Sequence, residues 1–347
     1  EGTRMNNNYY NPQGNQYYQQ QNAQYLMMKQ QIAYAKKEQR KELVKVGFVL
    51  GSAIIVYLLL QTVWGSMISA LGLYDAYQNS VMFKYAFNII GVDLLSLLPA
   101  FGIAALILKR NFTGELVPTK KVGKLKATAW VFFGMGCTIV ANYLVSVMMA
   151  FVKNVLGYEL TQNNYGNSDD ILTYIVMFVA TAIAPAIFEE FSFRCCTLGV
   201  LKKYGKGFAV FMVSIIFGLI HGNVIQFVFA FLVGLILAYI TVQTDNVIIA
   251  MFIHGLNNAR SAVSDIITTA ANEKLANTVS TIIMIIFVVL AIIALIYLLY
   301  TKSFATEKKM KSLYDNNFGT KIACMIPGMI VPFAILIAFT KQYVTKI

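Results

Sequence analysis

Apolar residues run along this chain in long blocks rather than in alternation. Phe48 to Leu73 contains no charge, and neither does Ile282 to Tyr300. An apolar block of about 18 residues or more is long enough to cross a bilayer as a helix. Such blocks predict spans at 46–70, 84–108, 127–152, 172–202, 206–221, 224–243, 246–267 and 277–301. The expected fold is therefore all-α, a multi-pass transmembrane bundle of eight helices, or nine if 323–340 also spans. A ninth run, 323–340, holds Pro327 and Pro332 and reads as a short helix, kinked or only partly inserted.

The polar stretches divide the chain into three parts. Residues 6–25 are nearly all Asn, Gln and Tyr, a low-complexity composition that predicts disorder, and 27–45 read as a short basic helix beside the first span. Residues 1–45 thus form a tail and juxtamembrane helix. Residues 46–301 form the membrane bundle, and 302–347 a basic linker with a short apolar helix. Basic residues alternate along this order: 36–45 holds five, 109–126 six, 202–206 three and 302–311 four. The intervening connections hold Lys84, Lys153 and Lys274, one each. Because Lys and Arg collect on the cytoplasmic side, the N-terminus is expected in the cytoplasm of a cell-membrane protein.

Composition agrees. The 347 residues are 58% apolar and only 13% charged, against about 25% charged in soluble domains. A soluble enzyme and a disordered chain are both excluded. The net charge of +12 is accounted for by topology and the bilayer surface, so no nucleic-acid partner is expected. Cys137, Cys195, Cys196 and Cys324 show no C-x-x-C spacing, which leaves neither a disulfide framework nor a four-cysteine metal site.

Charges inside a span are costly and mark function. The fourth span holds Glu189, Glu190 and Arg194. Glu190 and Arg194 stand at i and i+4 and can pair, whereas Glu189 points about 100° away and stays available. Both histidines of the chain lie in apolar runs, His221 four residues after Phe217 and His254 four before Asn258. Counted from the basic 202–206 turn, Glu189 and His221 lie about 20 and 22 Å deep, and His254 about 13 Å from Asp245. These groups can converge inside the membrane. A buried Glu near a His can activate water, and a second His with a carboxamide can hold an oxyanion. His221 and His254 are equally ordinary ligands for a divalent metal such as zinc, although no H-E-x-x-H helix is present.

In these three motifs the sequence resembles the CAAX protease and bacteriocin-processing (Abi) family of intramembrane proteases. Glu-Glu-x-x-x-Arg is Glu189, Glu190 and Arg194; Phe-x-x-x-His is Phe217 and His221; His-x-x-x-Asn is His254 and Asn258. The resemblance covers about 170–265, with Cys195 where the family commonly has Gly. It implies a cavity open toward the cytoplasm and Glu189 as the base, assisted by His221. It also implies His254 and Asn258 at the oxyanion, and Glu190–Arg194 as a structural pair, with a metal held by the histidines as the older reading. The implied substrates are membrane peptides or proteins, either prenylated or of bacteriocin or signal type, and the composition suggests a bacterial source.

Two other readings stand beside the protease. An inactive scaffold or immunity protein, working with another membrane protein, would have lost a motif residue, and none is missing. A transporter would also bury Glu, Arg and His, but no internal repeat and no second acidic span is expected here. Phe191 and Phe193 read as packing aromatics, and Ser214, Gly218 and Gly222 as small residues for close helix approach.

Overall fold

The structure is a computed structural model that describes residues 12–108, 117–161, 170–304 and 315–346. Among the described residues, besides a six-residue helix at Tyr74–Asn79, nine helical rods follow one another: α1 (Pro12–Ala70), α2 (Val81–Ile107), α3 (Lys124–Leu156), α4 (Ile171–Tyr204), α5 (Lys206–Leu219), α6 (Val224–Thr244), α7 (Val247–Ala270), α8 (Glu273–Tyr300) and α9 (Phe318–Tyr343). Seven of them are long and apolar enough to cross a membrane; α5 and α7 are not. The chain is thus an all-α, multi-pass membrane bundle. The two rods that fall short are the ones that bring the histidines. At 14 residues α5 is about 21 Å long. It stops inside the bundle, where irregular backbone is tolerated only against protein or a water-filled cavity. Helix α7 has the length, but one of its faces carries His254, Asn257, Asn258 and Arg260.

Asparagine starts most of the later helices. Asn223, Asn246, Asn272 and Asn317 each accept the first free backbone N–H groups of α6, α7, α8 and α9, and Asp170 does so for α4. Three of the rods are widened by π-helical turns, at 88–97 in α2, at 152–156 in α3 and at 179–183 and 191–197 in α4. Pro99 follows the turn at 88–97 and Pro185 the one at 179–183. A proline lacks the donor and clashes with the carbonyl four residues back, so the preceding turn opens. Ser96 and Thr197 hydroxyls then donate to the carbonyls of Gly91 and Ser192, five residues back, and relieve these wide turns.

Three expectations are corrected. Helix runs through 12–25, where composition predicts disorder; residues 1–11 lie outside the described part. Every residue from 17 to 31 is exposed, so this extension of α1 rests on the helix propensity of Gln, Ala, Met and Lys and on nothing packed against it. The C-terminal run is a full helix of 26 residues, α9, not a short one, with both prolines inside it. It is held by a glycine crossing: Gly47 and Gly51 of α1 meet Gly328 of α9 so closely that a Cβ on any of them would collide with backbone. Gly222 does not serve helix packing but takes a left-handed turn (φ 62°) between α5 and α6. Ser214 does pack closely, against Gly234 of α6, and so does Gly218, against Phe227.

The basic segments gather at one end of the bundle. Lys203 and the Tyr204 hydroxyl reach Glu42 of α1. Lys202 pairs with Asp245 at 2.6 Å, and the Lys120 N–H donates to the Asp245 carbonyl. The buried Lys321 ammonium donates to the Tyr204 carbonyl and to Asp315, which also accepts from Gln39 of α1. The other end carries a two-stranded antiparallel ribbon, β1 (Tyr158–Leu160) with β2 (Val344–Lys346), and the turn 220–223.

Candidate active site

Glu190 is fully buried and doubly engaged. Its Oε2 lies 3.0 Å from Arg194 Nε, and its Oε1 accepts from His254 Nδ1 at 2.8 Å. The expected Glu190–Arg194 pair forms, and His254 of α7 joins it. The Arg194 guanidinium also stacks over the Phe217 ring, 4.5 Å from its centre. That ring further meets His221, His254 and Phe193 edge to face, at 5.2, 6.0 and 5.1 Å. The Phe of Phe-x-x-x-His is thus the platform on which the cation and both imidazoles sit.

Glu189 is the carboxylate that no cation claims. Its Oε2 is buried without a hydrogen-bond partner and lies 3.8 Å from His254 Nε2. The residue lines a cavity of about 390 Å³, which Phe217, His221, His254, Asn257 and Asn258 also line. The expected convergence is therefore present, with one change of neighbour: His254, rather than His221, approaches Glu189.

Both imidazoles have a set tautomer. His221 Nδ1 is 2.8 Å from the Phe217 carbonyl, which can only accept, so Nδ1 carries the proton and Nε2 is free. His254 Nδ1 donates likewise to Glu190 and turns Nε2 to Glu189. Asn257 Nδ2 donates to Asn258 Oδ1 at 3.1 Å, which leaves the Asn258 N–H groups for another acceptor.

The donors fit a metal poorly. Among the described residues no three His, Cys, Asp or Glu side chains are grouped as a metal site requires, although each histidine, its Nδ1 held by the protein, turns Nε2 outward as a ligating imidazole would.

Several polar residues at the site were not anticipated. Asp93, buried on the π-helical part of α2, is near enough to Glu189 for their charges to interact, so the acidic residues come from two spans and not one. Its signal was an isolated acid in an apolar run, without an i+4 partner to draw attention. Arg260, Gln226 and Asn142 line the cavity as well.

A helical membrane bundle with a desolvated carboxylate, two oriented imidazoles and a carboxamide around a cavity defines an integral membrane protein with a polar cluster inside its bundle. Residues 171–260, which include all three motifs, match the family model described as Type II CAAX prenyl endopeptidase Rce1-like. Over this stretch the chain is similar to the CAAX protease and bacteriocin-processing family, in agreement with the three motifs. No curated protein and no solved structure matches the chain significantly.

Proposed function

We propose that this protein is an intramembrane endopeptidase of the cell membrane, with its N-terminus in the cytoplasm, acting on membrane-associated peptides or proteins by glutamate-activated water. One observation carries the reading: of two adjacent buried glutamates, Glu190 is paired with Arg194 and His254 at 3.0 and 2.8 Å, while Glu189 has only His254 at 3.8 Å among the described ion pairs and lines the cavity.

In the proposed reaction Glu189 takes a proton from water as the water oxygen bonds to the scissile carbonyl carbon. The free Nε2 of His221 accepts from that water and orients it. The oxyanion is met by the Asn258 N–H and by His254, which donates from Nε2 when protonated and whose positive charge Glu190 offsets. Glu189 then passes its proton to the leaving amide nitrogen as the carbon–nitrogen bond breaks, and it returns to the carboxylate. No step runs through a metal.

The test is cleavage of a library of lipidated and unmodified peptides by the purified protein in liposomes, read by mass spectrometry, with Glu189→Gln as the blank. Products that persist unchanged in that variant would overturn the mechanism. Absence of any product with the parent protein would favour a non-proteolytic scaffold.

A further inference from the structure

The cavity extends from Glu189 in one direction only. On α7 it runs from His254 to Ser261, away from Asp245. On α6 it runs from Val233 back to Ile225, toward the turn at 220–223. On α3 its lining begins at Asn142, 18 residues and about 27 Å beyond Lys124, and continues to Met149. All three helices say the same: the chamber approaches the end that bears the β1–β2 ribbon, not the end where Lys120, Lys202 and Lys203 meet Asp245 and Glu42.

The two ends differ in charge. Thirteen described Lys and Arg of the basic segments, in 36–45, 120–126, 202–206 and at 302, belong to the far end from the chamber. The chamber's end carries Lys84, Lys153 and Lys274 on three separate connections, and Lys341 and Lys346 on the C-terminal segment. Positively charged loops stay on the cytoplasmic side.

From these two facts we infer that the chamber opens on the extracytoplasmic side of the membrane, opposite to the cytoplasmic opening that the family resemblance implies. The substrate class follows, given the protease reading: an exported peptide, or a membrane-anchored segment exposed at the outer surface, whose scissile bond descends past Gln226 and Arg260 to Glu189. A prenylated tail on the cytoplasmic leaflet does not reach this opening. The sidedness itself does not depend on catalysis.

The experiment separates the two. In a background with Cys137, Cys195, Cys196 and Cys324 replaced by Ser or Ala, single cysteines are placed by Gln226→Cys, Ser261→Cys and Lys120→Cys. Intact cells expressing the full chain are treated with a membrane-impermeant maleimide. The cavity cysteines should be modified in intact cells, and the Lys120→Cys signal should be lost until the cells are permeabilised. The reverse pattern overturns the inference. Should the cysteine-free background not accumulate, the parent chain with an epitope after Lys346 gives the same reading: antibody access in spheroplasts supports it and access only after lysis overturns it. Outward labelling together with failure of every cleavage assay supports the sidedness and removes the enzyme.

Discussion

Glu190 holds His254 across two helices, accepting from Nδ1 at 2.8 Å while the opposite ring nitrogen lies 3.8 Å from Glu189. One carboxylate of an adjacent pair thus fixes the imidazole that faces the other. The division of labour comes from geometry: residues one apart on a helix point about 100° apart, so one can turn to Arg194 and the other to the cavity.

Glu189→Gln keeps the shape of the side chain and removes the base. Cleavage should fall by about 10²–10⁴, the usual worth of general acid–base catalysis. The thermal unfolding midpoint in detergent should hold, which separates loss of chemistry from loss of fold.

Glu190→Ala leaves the buried Arg194 without its carboxylate, and Arg194→Ala leaves the buried Glu190 with His254 but without its cation. Breaking a buried pair in this way costs about 3–5 kcal/mol. The double variant should lose less than the sum of the two, and strictly additive losses would show that the pair is not coupled. Glu190→Gln should in addition lower activity, because His254 loses its anionic anchor.

Asn258→Ala should reduce kcat by about 10²–10³ if its N–H meets the oxyanion. Asn257→Ala should have a smaller effect in the same direction, because it only frees the carboxamide that it orients. A rise in KM at constant kcat for both would assign them to substrate binding instead.

Chelation is expected to leave cleavage unchanged. Incubation with a strong zinc chelator, followed by the peptide assay, checks this; activity lost to the chelator and restored by zinc would bring the histidines back as ligands.

Acid should weaken the tie between α1 and α9 at the basic end. Burial pushes the Asp315 carboxyl up, but hydrogen bonds from Lys321 and Gln39 outweigh it and hold the group below its ordinary value. A depressed carboxyl contributes stability above its unfolded value of about 3.9 and loses it as pH falls through the lower folded value. The stability gap between the parent and Asp315→Asn should therefore be full at pH 7 and close as the solution is taken well below pH 4.

Much of this was legible in the sequence, for physical reasons that differ by feature. The bundle was legible because a bilayer demands long uncharged runs, and Phe48–Leu73 or Ile282–Tyr300 admit little else. Glu189, Glu190, Arg194, His221 and His254 were legible because polar groups are conspicuous in such runs. Asp93 had the same signal and was passed over for want of a nearby partner. The link from His254 to Glu190 joins residues 64 apart, and no local spacing encodes it. The left-handed turn at Gly222 and the glycine crossing at Gly328 also needed the fold, because a glycine in an apolar run reads alike in either role.

The ribbon at the far end ties the last residues of the chain to the wall of the chamber. The Thr161 N–H donates to the Tyr343 carbonyl, and the Thr161 carbonyl accepts from Asn223, two residues after His221. Anything that pulls on the C-terminus therefore pulls on the loop that presents an imidazole. An affinity handle fused there is not a neutral choice, and protein intended for kinetic work is better purified by its other end.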